Sequence, residues 1–323
     1  MKAIRSIAMT SALLALVTGC GSDATSPNEN PAPAGSDGQF EELMAYDWTV
    51  DPGVEAYYCG YRTLTEDLYI SDFRPLMPDG THHVVLGYQA PAREDGYVPA
   101  VEGVAPTADV CTGVSFGDIF AFAATVGTQE LSLPEGVAVK IPAGQQLVLG
   151  LHMLNSTAAP VTARSGLEVI RPDISAVTQE AEVIAAQNGQ FSVPPGDSTV
   201  TATCTMTGDT NIFAVMPHMH KTGVHMTTTA GPSGIGTTLL DRDYQFTEQN
   251  YTKLEAPLAL KQGDQVLVQC NYSNPGSETL LFGESTTQNE MCITFLYRYP
   301  ALSMYSGVNT SPGFPLPRGA CLF

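Results

Sequence analysis

Three of the chain's six histidines lie in one short segment, residues 216–226. The residues before it, 210–215, are apolar and partly β-branched, which predicts a strand. Side chains at positions i and i+2 of a strand point to the same face, so His218 and His220 would present two imidazoles side by side, with Met219 pointing away. Such a pair suits copper or zinc. It is equally compatible with ordinary core or surface histidines, so the metal hypothesis depends on the other histidines.

The first half of the chain holds the remaining histidines, His82, His83 and His152. A regular strand would direct the adjacent His82 and His83 to opposite faces. They can share one ion only where the strand begins or bulges, and the Pro-Asp-Gly-Thr turn at 78–81 provides such a place. His152 ends an apolar, strand-like run. One histidine there is more often a core residue than a ligand, so the three together carry the prediction of a metal site.

Met291 lies in the second half, in the sequence Asn-Glu-Met-Cys at 289–292. Methionine usually fills gaps in a core. Beside His218 and His220, however, its thioether would make a softer site that favours Cu(I). Iron(II) prefers a carboxylate in this place, and structural zinc prefers thiolate. The second half therefore predicts a copper site with two imidazoles and one sulfur.

Strands must position these ligands, because helical periodicity is scarce along the chain. Short apolar, β-branched runs recur between Gly, Pro and Asp turns, a pattern typical of an all-β protein built from β-sandwiches. Residues 142–152 and 261–271 resemble each other, since each is a glycine turn that leads into a hydrophobic strand. We therefore predict two tandem β domains, an N-terminal domain at 39–172 and a C-terminal domain at 173–323.

Composition restricts the class of protein. The chain has 323 residues, of which 43% are hydrophobic, so it can bury a large core and is not a disordered chain. Its net charge of −19 argues against a nucleic-acid partner, which would require a basic face. We interpret the charge as a solvated acidic surface.

The N-terminus has the pattern of a targeting segment. Lys2 and Arg5 precede an apolar run at 7–17 that is too short to span a bilayer. The sequence Leu-Val-Thr-Gly-Cys at 16–20 resembles the lipobox of bacterial lipoproteins, which implies a signal peptide at 1–20 and acylation of Cys20. Residues 21–38 would then be a flexible tether. No aspartate follows Cys20, so we expect the outer membrane, contacted only through the lipid.

Four motifs occur in order along the chain: Thr-His-His-Val at 81–84, Leu-Gly-Leu-His at 149–152, Pro-His-Met-His at 217–220 and Glu-Met-Cys at 290–292. Together they resemble the copper type II, ascorbate-dependent monooxygenases, which include peptidylglycine α-hydroxylating monooxygenase and dopamine β-monooxygenase. The resemblance covers roughly residues 44–323. It implies two jelly-roll-like β-sandwich domains that each hold one copper ion and face each other across a solvent-filled cleft.

The resemblance also assigns a role to each predicted ligand. The copper that transfers electrons would be held by His82, His83 and His152. The copper that binds dioxygen would be held by His218, His220 and Met291. Each copper cycles one electron, whereas hydroxylation of a C–H bond with dioxygen requires two, so the family uses both sites with ascorbate as the reductant.

Seven cysteines minus the acylated Cys20 leave six. In an exported chain this number suggests three disulfides, whose pairing the sequence leaves open, as it leaves open that some thiols stay free and buried. They are not spaced like a zinc cluster. The resemblance implies the pairs Cys59–Cys111, Cys204–Cys321 and Cys270–Cys292.

The sequence departs from the peptide-hydroxylating members at several positions. In those members an arginine binds the substrate carboxylate, and the matching position here is Met216. Their asparagine and tyrosine after the methionine ligand are replaced here by Ile293 and Phe295. A peptide carboxylate would lose its charge-assisted partners, so we expect a small, non-peptide substrate in a more apolar pocket. Those members have a glutamine two residues before the third histidine of the first domain, whereas this sequence has Gly150 there. An electron route through a glutamine side chain is therefore absent at this position. His225 has no counterpart, and we expect it at the surface or behind the ligands.

Three functions fit these residues. The first is a copper monooxygenase that hydroxylates a small molecule with dioxygen and a one-electron reductant such as ascorbate. The second is a copper-binding or buffering surface lipoprotein without turnover. The third is a surface β-sandwich adhesin in which the histidines are incidental. Copper loading separates the third from the others, and ascorbate-driven oxygen uptake separates the first from the second.

Overall fold

A computed structural model describes residues 38–99, 119–128, 130–283 and 288–302. Within these ranges the regular structure is β-strand, apart from two short 3₁₀-helices at Ile174–Ala176 and Pro232–Gly234. The all-β prediction is confirmed. No helix among the described residues is both long and apolar enough to cross a membrane. The predicted signal peptide, Cys20 and the tether up to residue 37 lie outside the described residues.

The first half of the chain contributes eleven described strands, which end at Ile170 just before the predicted domain boundary. They are β1 Glu41–Val50, β2 Glu55–Thr63, β3 Leu68–Ile70, β4 Asp72–Leu76, β5 Thr81–Gln89, β6 Gly96–Pro99, β7 Ile119–Thr125, β8 Leu131–Ser132, β9 Val137–Ile141, β10 Gln146–Leu154 and β11 Val161–Ile170.

The second half contributes eleven more in the described residues. They are β12 Gln179–Gln187, β13 Ser192–Val193, β14 Gly196–Thr205, β15 Thr210–His218, β16 Gly223–Gly231, β17 Thr237–Asp243, β18 Thr252–Leu260, β19 Gln265–Asn274, β20 Leu280–Phe282, β21 Asn289–Glu290 and β22 Ile293–Tyr299.

Two sheets of the first half, in the orders β1-β11-β4-β8 and β6-β2-β10-β5-β7, share one apolar core. The core includes Trp48 and Leu167 from one sheet and Val84 and Leu149 from the other. Apolar side chains on alternate positions of each strand supply it, as expected for two sheets packed face to face. This sandwich positions β5 and β10, the strands that carry the first three histidines.

A six-stranded sheet, β18-β15-β22-β12-β9-β3, crosses the predicted boundary. Strand β9 of the first half pairs in parallel with β12, with Val137 opposite Gln179. One face of this sheet, with Ala214 and Met216, packs into the core of the first half, and the other face, with Val215, packs into a second core. The four-stranded sheet β14-β19-β16-β17 closes that second core. The two halves are therefore joined by a shared sheet as well as by a shared core.

Candidate metal centres

The imidazoles of His82, His83 and His152 converge at one end of the first sandwich. The Nδ1 atom of His83 lies 3.3 Å from Nδ1 of His82 and 3.3 Å from Nδ1 of His152. One ligand atom from each of the three residues lies within 4.8 Å of the others. The predicted irregularity brings them together: His152 pairs with His83 and Met153 with Thr81, so His82 is the extra residue of a bulge.

Glu55 fixes which nitrogen of His152 faces its neighbours. Nε2 of His152 lies 2.6 Å from Oε1 of Glu55, and a carboxylate can only accept, so Nε2 carries the proton and Nδ1 offers a lone pair. The ring also stacks on Tyr57, with centroids 4.1 Å apart, and the Tyr57 hydroxyl donates to the same carboxylate oxygen at 2.8 Å. Both partners come from β2, which pairs with β10 so that Tyr57 lies opposite His152.

These three imidazoles are neutral at physiological pH. Burial lowers the pKa of His152 to about 3, with a smaller contribution from His82. Burial likewise keeps the pKa of His83 well below its usual value and lowers the pKa of His82. A neutral imidazole is the form that binds a metal. Bonds from imidazole nitrogen to Zn²⁺ are about 2.0–2.1 Å, and nitrogens 3.3 Å apart can share an ion held at such a distance, so the site fits an imidazole-binding ion such as copper or zinc.

His218 and His220 also lie together, but not as a strand pair. Strand β15 ends at His218, and His220 lies beyond it where the chain turns toward β16. The simple i, i+2 expectation is therefore wrong in its local structure, although the two rings are neighbours with centroids 5.5 Å apart and perpendicular planes. Met219 points away as expected and is fully buried in the second core.

Each of these two rings is oriented through its Nδ1 atom. Nδ1 of His218 lies 2.6 Å from Oε1 of Gln249, whose Nε2 donates to the carbonyl of Phe246 at 2.8 Å. Because the amide nitrogen is engaged there, the oxygen must accept from His218. Nδ1 of His220 donates to the carbonyl of Asn289 at 3.0 Å. Both rings are thereby left with an Nε2 lone pair. Burial and the neighbouring His220 lower the pKa of His218 to about 4, so its ring is neutral.

The segment that carries Met291 is hydrogen-bonded to the turn that carries His220. Glu290 is buried and accepts from the backbone N–H of His220 at 2.8 Å and of Thr222 at 2.9 Å. Met291 is itself buried, and its carbonyl accepts from the Tyr272 hydroxyl at 2.8 Å. These bonds hold the backbone of Met291 close to the turn that carries His220.

The residue directly after Met291 in the sequence forms a disulfide. Cys270 and Cys292 are bonded, with a sequence separation of 22, which confirms one predicted pair. Cys59 and Cys204 are also disulfide-bonded. Their predicted partners, Cys111 and Cys321, lie outside the described residues, so those two pairings stay predictions. The Cys270–Cys292 bond ties the residue after Met291 to strand β19.

One aromatic ring touches both histidine groups. The centroid of Phe246 lies 6.2 Å from that of His82 and 6.3 Å from that of His220. Both distances are within the range of aromatic contacts. The two groups therefore contact one shared side chain, and the solvent-filled cleft that the resemblance implied between the sites stays a prediction.

The three residues predicted to line a substrate pocket lie on two paired strands of the shared sheet. Met216 pairs with Phe295, and His218 pairs with Ile293. Met216 and Ile293 are buried, whereas Phe295 is partly exposed, lies 6.2 Å from the His218 ring and stacks on Phe120 of the first half at 4.3 Å. The apolar substitutions thus lie around His218, and Phe295 reaches the first half.

The two remaining singled-out positions, Gly150 and His225, contribute no ligand atom to either group. Gly150 is within β10 and pairs with Val85 and Cys59. His225 is on β16 with its side chain 30% exposed, between Asp241 at 2.8 Å and Asp243 at 3.1 Å. The Asp243 and Asp241 carboxylates raise the pKa of His225, whereas burial lowers the pKa values of His82, His83, His152 and His218.

Sequence reasoning missed the residues that orient the ligands. Glu55, Tyr57 and Gln249 carry no motif, and each is far from its histidine in sequence. Glu290 belongs to the motif at 290–292, but the sequence does not indicate that its carboxylate accepts from the N–H of His220. The period-2 pattern of β2 could have placed Glu55 and Tyr57 on one face, but nothing in the sequence pairs that face with His152.

The chain is similar to known copper monooxygenases. Residues 175–312 match the copper type II ascorbate-dependent monooxygenase C-terminal domain. A human putative DBH-like monooxygenase protein 2 is 26% identical over 235 residues, which is 66% of this chain and 44% of that protein. Peptidyl-glycine alpha-amidating monooxygenase A of Xenopus laevis is 25% identical over 272 residues, which is 78% of this chain and 28% of that protein. The chain thus spans less than half the length of either relative.

These similarities support the copper type II, ascorbate-dependent monooxygenase family for this chain, with the family model covering its C-terminal half. A tyramine beta-hydroxylase of Caenorhabditis briggsae is also similar, at 29% identity over 93 residues, or 28% of this chain and 16% of that protein. The family is an oxidoreductase family that depends on copper and ascorbate.

Proposed function

We propose that this protein is a copper-dependent monooxygenase that hydroxylates a C–H bond of a small, non-peptide molecule, with dioxygen and a one-electron reductant such as ascorbate. Two copper ions would be bound per chain, one by His82, His83 and His152 and one by His218, His220 and Met291. The observation that carries the proposal is that hydrogen bonds in each group fix which ring nitrogen offers a lone pair: Nδ1 of His152 in the first group, and Nε2 of His218 and His220 in the second.

The two sites differ in donors, and this difference supports a division of labour. Copper bound at these sites would supply one-electron redox chemistry and the activation of dioxygen. The residues of the chain orient the imidazole ligands: Glu55 and Tyr57 orient the ring of His152, and Gln249 orients the ring of His218. Hydrogen-bond partners of this kind orient the ligands and tune the properties of a bound metal.

The apolar face around His218 supports the substrate class. Met216, Ile293 and Phe295 provide no charged group for a peptide carboxylate, and the stacked pair Phe120–Phe295 adds aromatic surface from the first half. An apolar or aromatic small molecule would bury its surface there. A peptide with a C-terminal glycine should therefore be a poor substrate, whereas small aromatic compounds should support turnover.

The test is oxygen uptake by the copper-loaded chain with ascorbate, in the presence and absence of a panel of small aromatic compounds, with labelled dioxygen to identify product. We expect two coppers per chain and uptake that depends on a compound in the panel. Met291→Ile should abolish hydroxylation while the copper at the three-histidine site stays bound. Retained turnover in Met291→Ile would contradict the assignment of that site.

His152→Ala tests the other site. This variant should lose electron delivery and turnover but should keep carbon monoxide binding to Cu(I) at the Met291 site. Loss of the carbon monoxide signal would show that the sites are wrongly divided. Two bound coppers with no oxygen uptake for any compound would favour the alternative, a non-catalytic copper-binding or buffering lipoprotein. Fewer than one copper per chain would overturn both and favour the adhesin hypothesis.

We further propose that the protein is lipid-anchored through Cys20 in the outer membrane of a bacterial cell envelope. The lipobox-like sequence at 16–20 supports this proposal. Labelling of growing cells with a fatty-acid analogue should mark the wild-type chain and not Cys20→Ala. Equal labelling of both chains would exclude the anchor.

A further inference from the structure

One segment of the second half, residues 244–251, connects β17 to β18 and lies against the first half. Its first residue, Tyr244, is buried and accepts from the N–H of Met219 at 2.9 Å, so it is anchored beside the two histidines of the second half. Its last residue, Tyr251, packs against the core of the first half and lies 6.5 Å from the ring of Phe122. Between them lie Phe246, which touches both histidine groups, and Gln249, which orients His218.

The contact that locates this segment is made by Thr125, at the end of β7. The backbone N–H of Gln249 donates to Oγ1 of Thr125 at 3.1 Å, and the same hydroxyl donates to Oδ1 of Asn250 at 3.3 Å. Thr128 also donates to Oδ1 of Asn250. Thr125 and Gln249 are both buried, at 7% and 8% exposure, so these bonds are shielded from water. One hydroxyl therefore acts as both acceptor and donor to two consecutive residues of the segment.

Thr125 also borders the first histidine group. It pairs with His83 across the β5–β7 ladder. A short path thus runs from the strand neighbour of His83, through the Thr125 hydroxyl and Gln249, to Nδ1 of His218. The links are one strand pair, two hydrogen bonds and the covalent bonds of Gln249 between its backbone and its amide group. A change at Thr125 can therefore alter the position of the Gln249 amide and, through it, the orientation of His218.

We propose that Thr125 is a positioning residue for His218: a hydroxyl of the first half holds Gln249 so that His218 keeps its proton on Nδ1 and offers Nε2 to a metal. Thr125 touches no predicted ligand atom of the second site and acts only through Gln249. The pairing of the two halves therefore completes the metal site of the second half. This inference rests on the proposed function for its meaning, but its first test does not need copper.

The first test uses the full chain without metal, labelled with ¹⁵N-histidine, at neutral pH. In the wild type, His218 should show two well-separated ring signals, from a protonated Nδ1 and an unprotonated Nε2. Thr125→Val keeps the shape of the side chain but removes the hydroxyl, which leaves the Gln249 N–H without its acceptor. The His218 signals should then move toward the averaged positions of two exchanging tautomers. Thr125→Ser, which keeps the hydroxyl, should restore the wild-type spectrum.

The second test measures Cu(I) affinity by competition with a Cu(I)-specific chelator. Loss of a residue behind a ligand costs about 10–100-fold in metal affinity, and we expect the lower end of this range, about tenfold, for Thr125→Val at the Met291 site. Thr125→Ser should bind like the wild type. The matched control is Thr210→Val, a buried threonine at the other end of β15 whose hydroxyl donates to the Tyr299 carbonyl at 3.3 Å. It should change neither the spectrum nor the affinity.

The outcomes separate this inference from the proposed function. Unchanged His218 signals and unchanged affinity in Thr125→Val would overturn the role of Thr125 while two-copper binding stands. A wild-type chain that binds no copper at the second site would overturn the function, while the tautomer comparison would still decide the inference. Should Thr125→Val fail to fold, Thr125→Ala removes the same hydroxyl without the branched methyl groups, and the same spectrum decides.

Discussion

The Nε2 atom of His152 and the Oε1 atom of Glu55 lie 2.6 Å apart, and this contact determines which face of the imidazole a metal would meet. Two residues 97 positions apart in sequence are brought together because β2 and β10 are neighbours in the five-stranded sheet. The Glu55 side chain is half exposed, yet it acts on a ring that is nearly buried.

Removal of the Glu55 carboxylate should weaken metal binding at the three-histidine site. We expect Glu55→Ala to lower copper affinity there by about 10–100-fold, since the ring loses its orienting acceptor. Glu55→Gln keeps an acceptor oxygen, so its copper affinity should fall less than that of Glu55→Ala. Competition titration with a chelator measures both. Glu66→Ala, at another exposed glutamate, is the control, and a Glu55→Ala chain that binds copper like the control would contradict this role.

The Cys270–Cys292 bond should support both stability and the second metal site. It closes a loop with a sequence separation of 22, and the double variant Cys270→Ser with Cys292→Ser should lose about 3 kcal/mol in the free energy of unfolding. Urea denaturation of the metal-free chain measures this. The same variant should bind copper more weakly at the Met291 site, because Met291 precedes Cys292, with the three-histidine site as internal control. Equal losses of copper affinity at both sites would indicate general unfolding and not a local effect on Met291.

The buried pair Arg298–Glu182 should make single substitutions costly. Arg298 is fully buried and donates through Nε at 2.9 Å and Nη2 at 2.5 Å to one oxygen of Glu182. Glu182→Leu leaves an uncompensated buried charge, so we expect a loss of about 3–5 kcal/mol in the free energy of unfolding. The double variant with Arg298→Met should be more stable than Glu182→Leu alone. A double variant that is less stable than either single variant would disprove this explanation.

His225 should give the chain a small pH-dependent contribution to stability. The Asp243 and Asp241 carboxylates raise its pKa in the folded protein above the value of about 6.5 expected for an unfolded chain. The stabilisation is therefore complete below that unfolded pKa and is lost as the pH rises through the folded pKa. Exposure limits it to about 1 kcal/mol or less. Urea unfolding near pH 6 and near pH 9 should show this loss in the wild type and not in His225→Gln; equal pH dependence in both would refute it.

Much of the local structure was predictable because it depends on local patterns. Alternating apolar residues and turn residues predict strands wherever they occur, and the runs at 147–154, 210–215 and 265–270 are all strands. The turn before His82 and the adjacency of His82 and His83 predicted that a strand begins or bulges there, and the structure shows a bulge. The shared six-stranded sheet was not predictable, because no pattern in β9 or β12 specifies that they pair with each other.

The residue types and order of the histidines, Met291 and the cysteines can be read directly from the sequence, and they sufficed to propose copper chemistry and to recognise the family. Only the tertiary structure decided which ring nitrogen each ligand offers and which side chains hold it there. Glu55, Gln249, Phe246 and Thr125 reach the histidines through strand pairings and loop contacts between distant segments. Such contacts depend on how the sheets pack and on where the loops lie in the folded chain. Because the partners are far apart in sequence, no local sequence pattern predicts these hydrogen bonds.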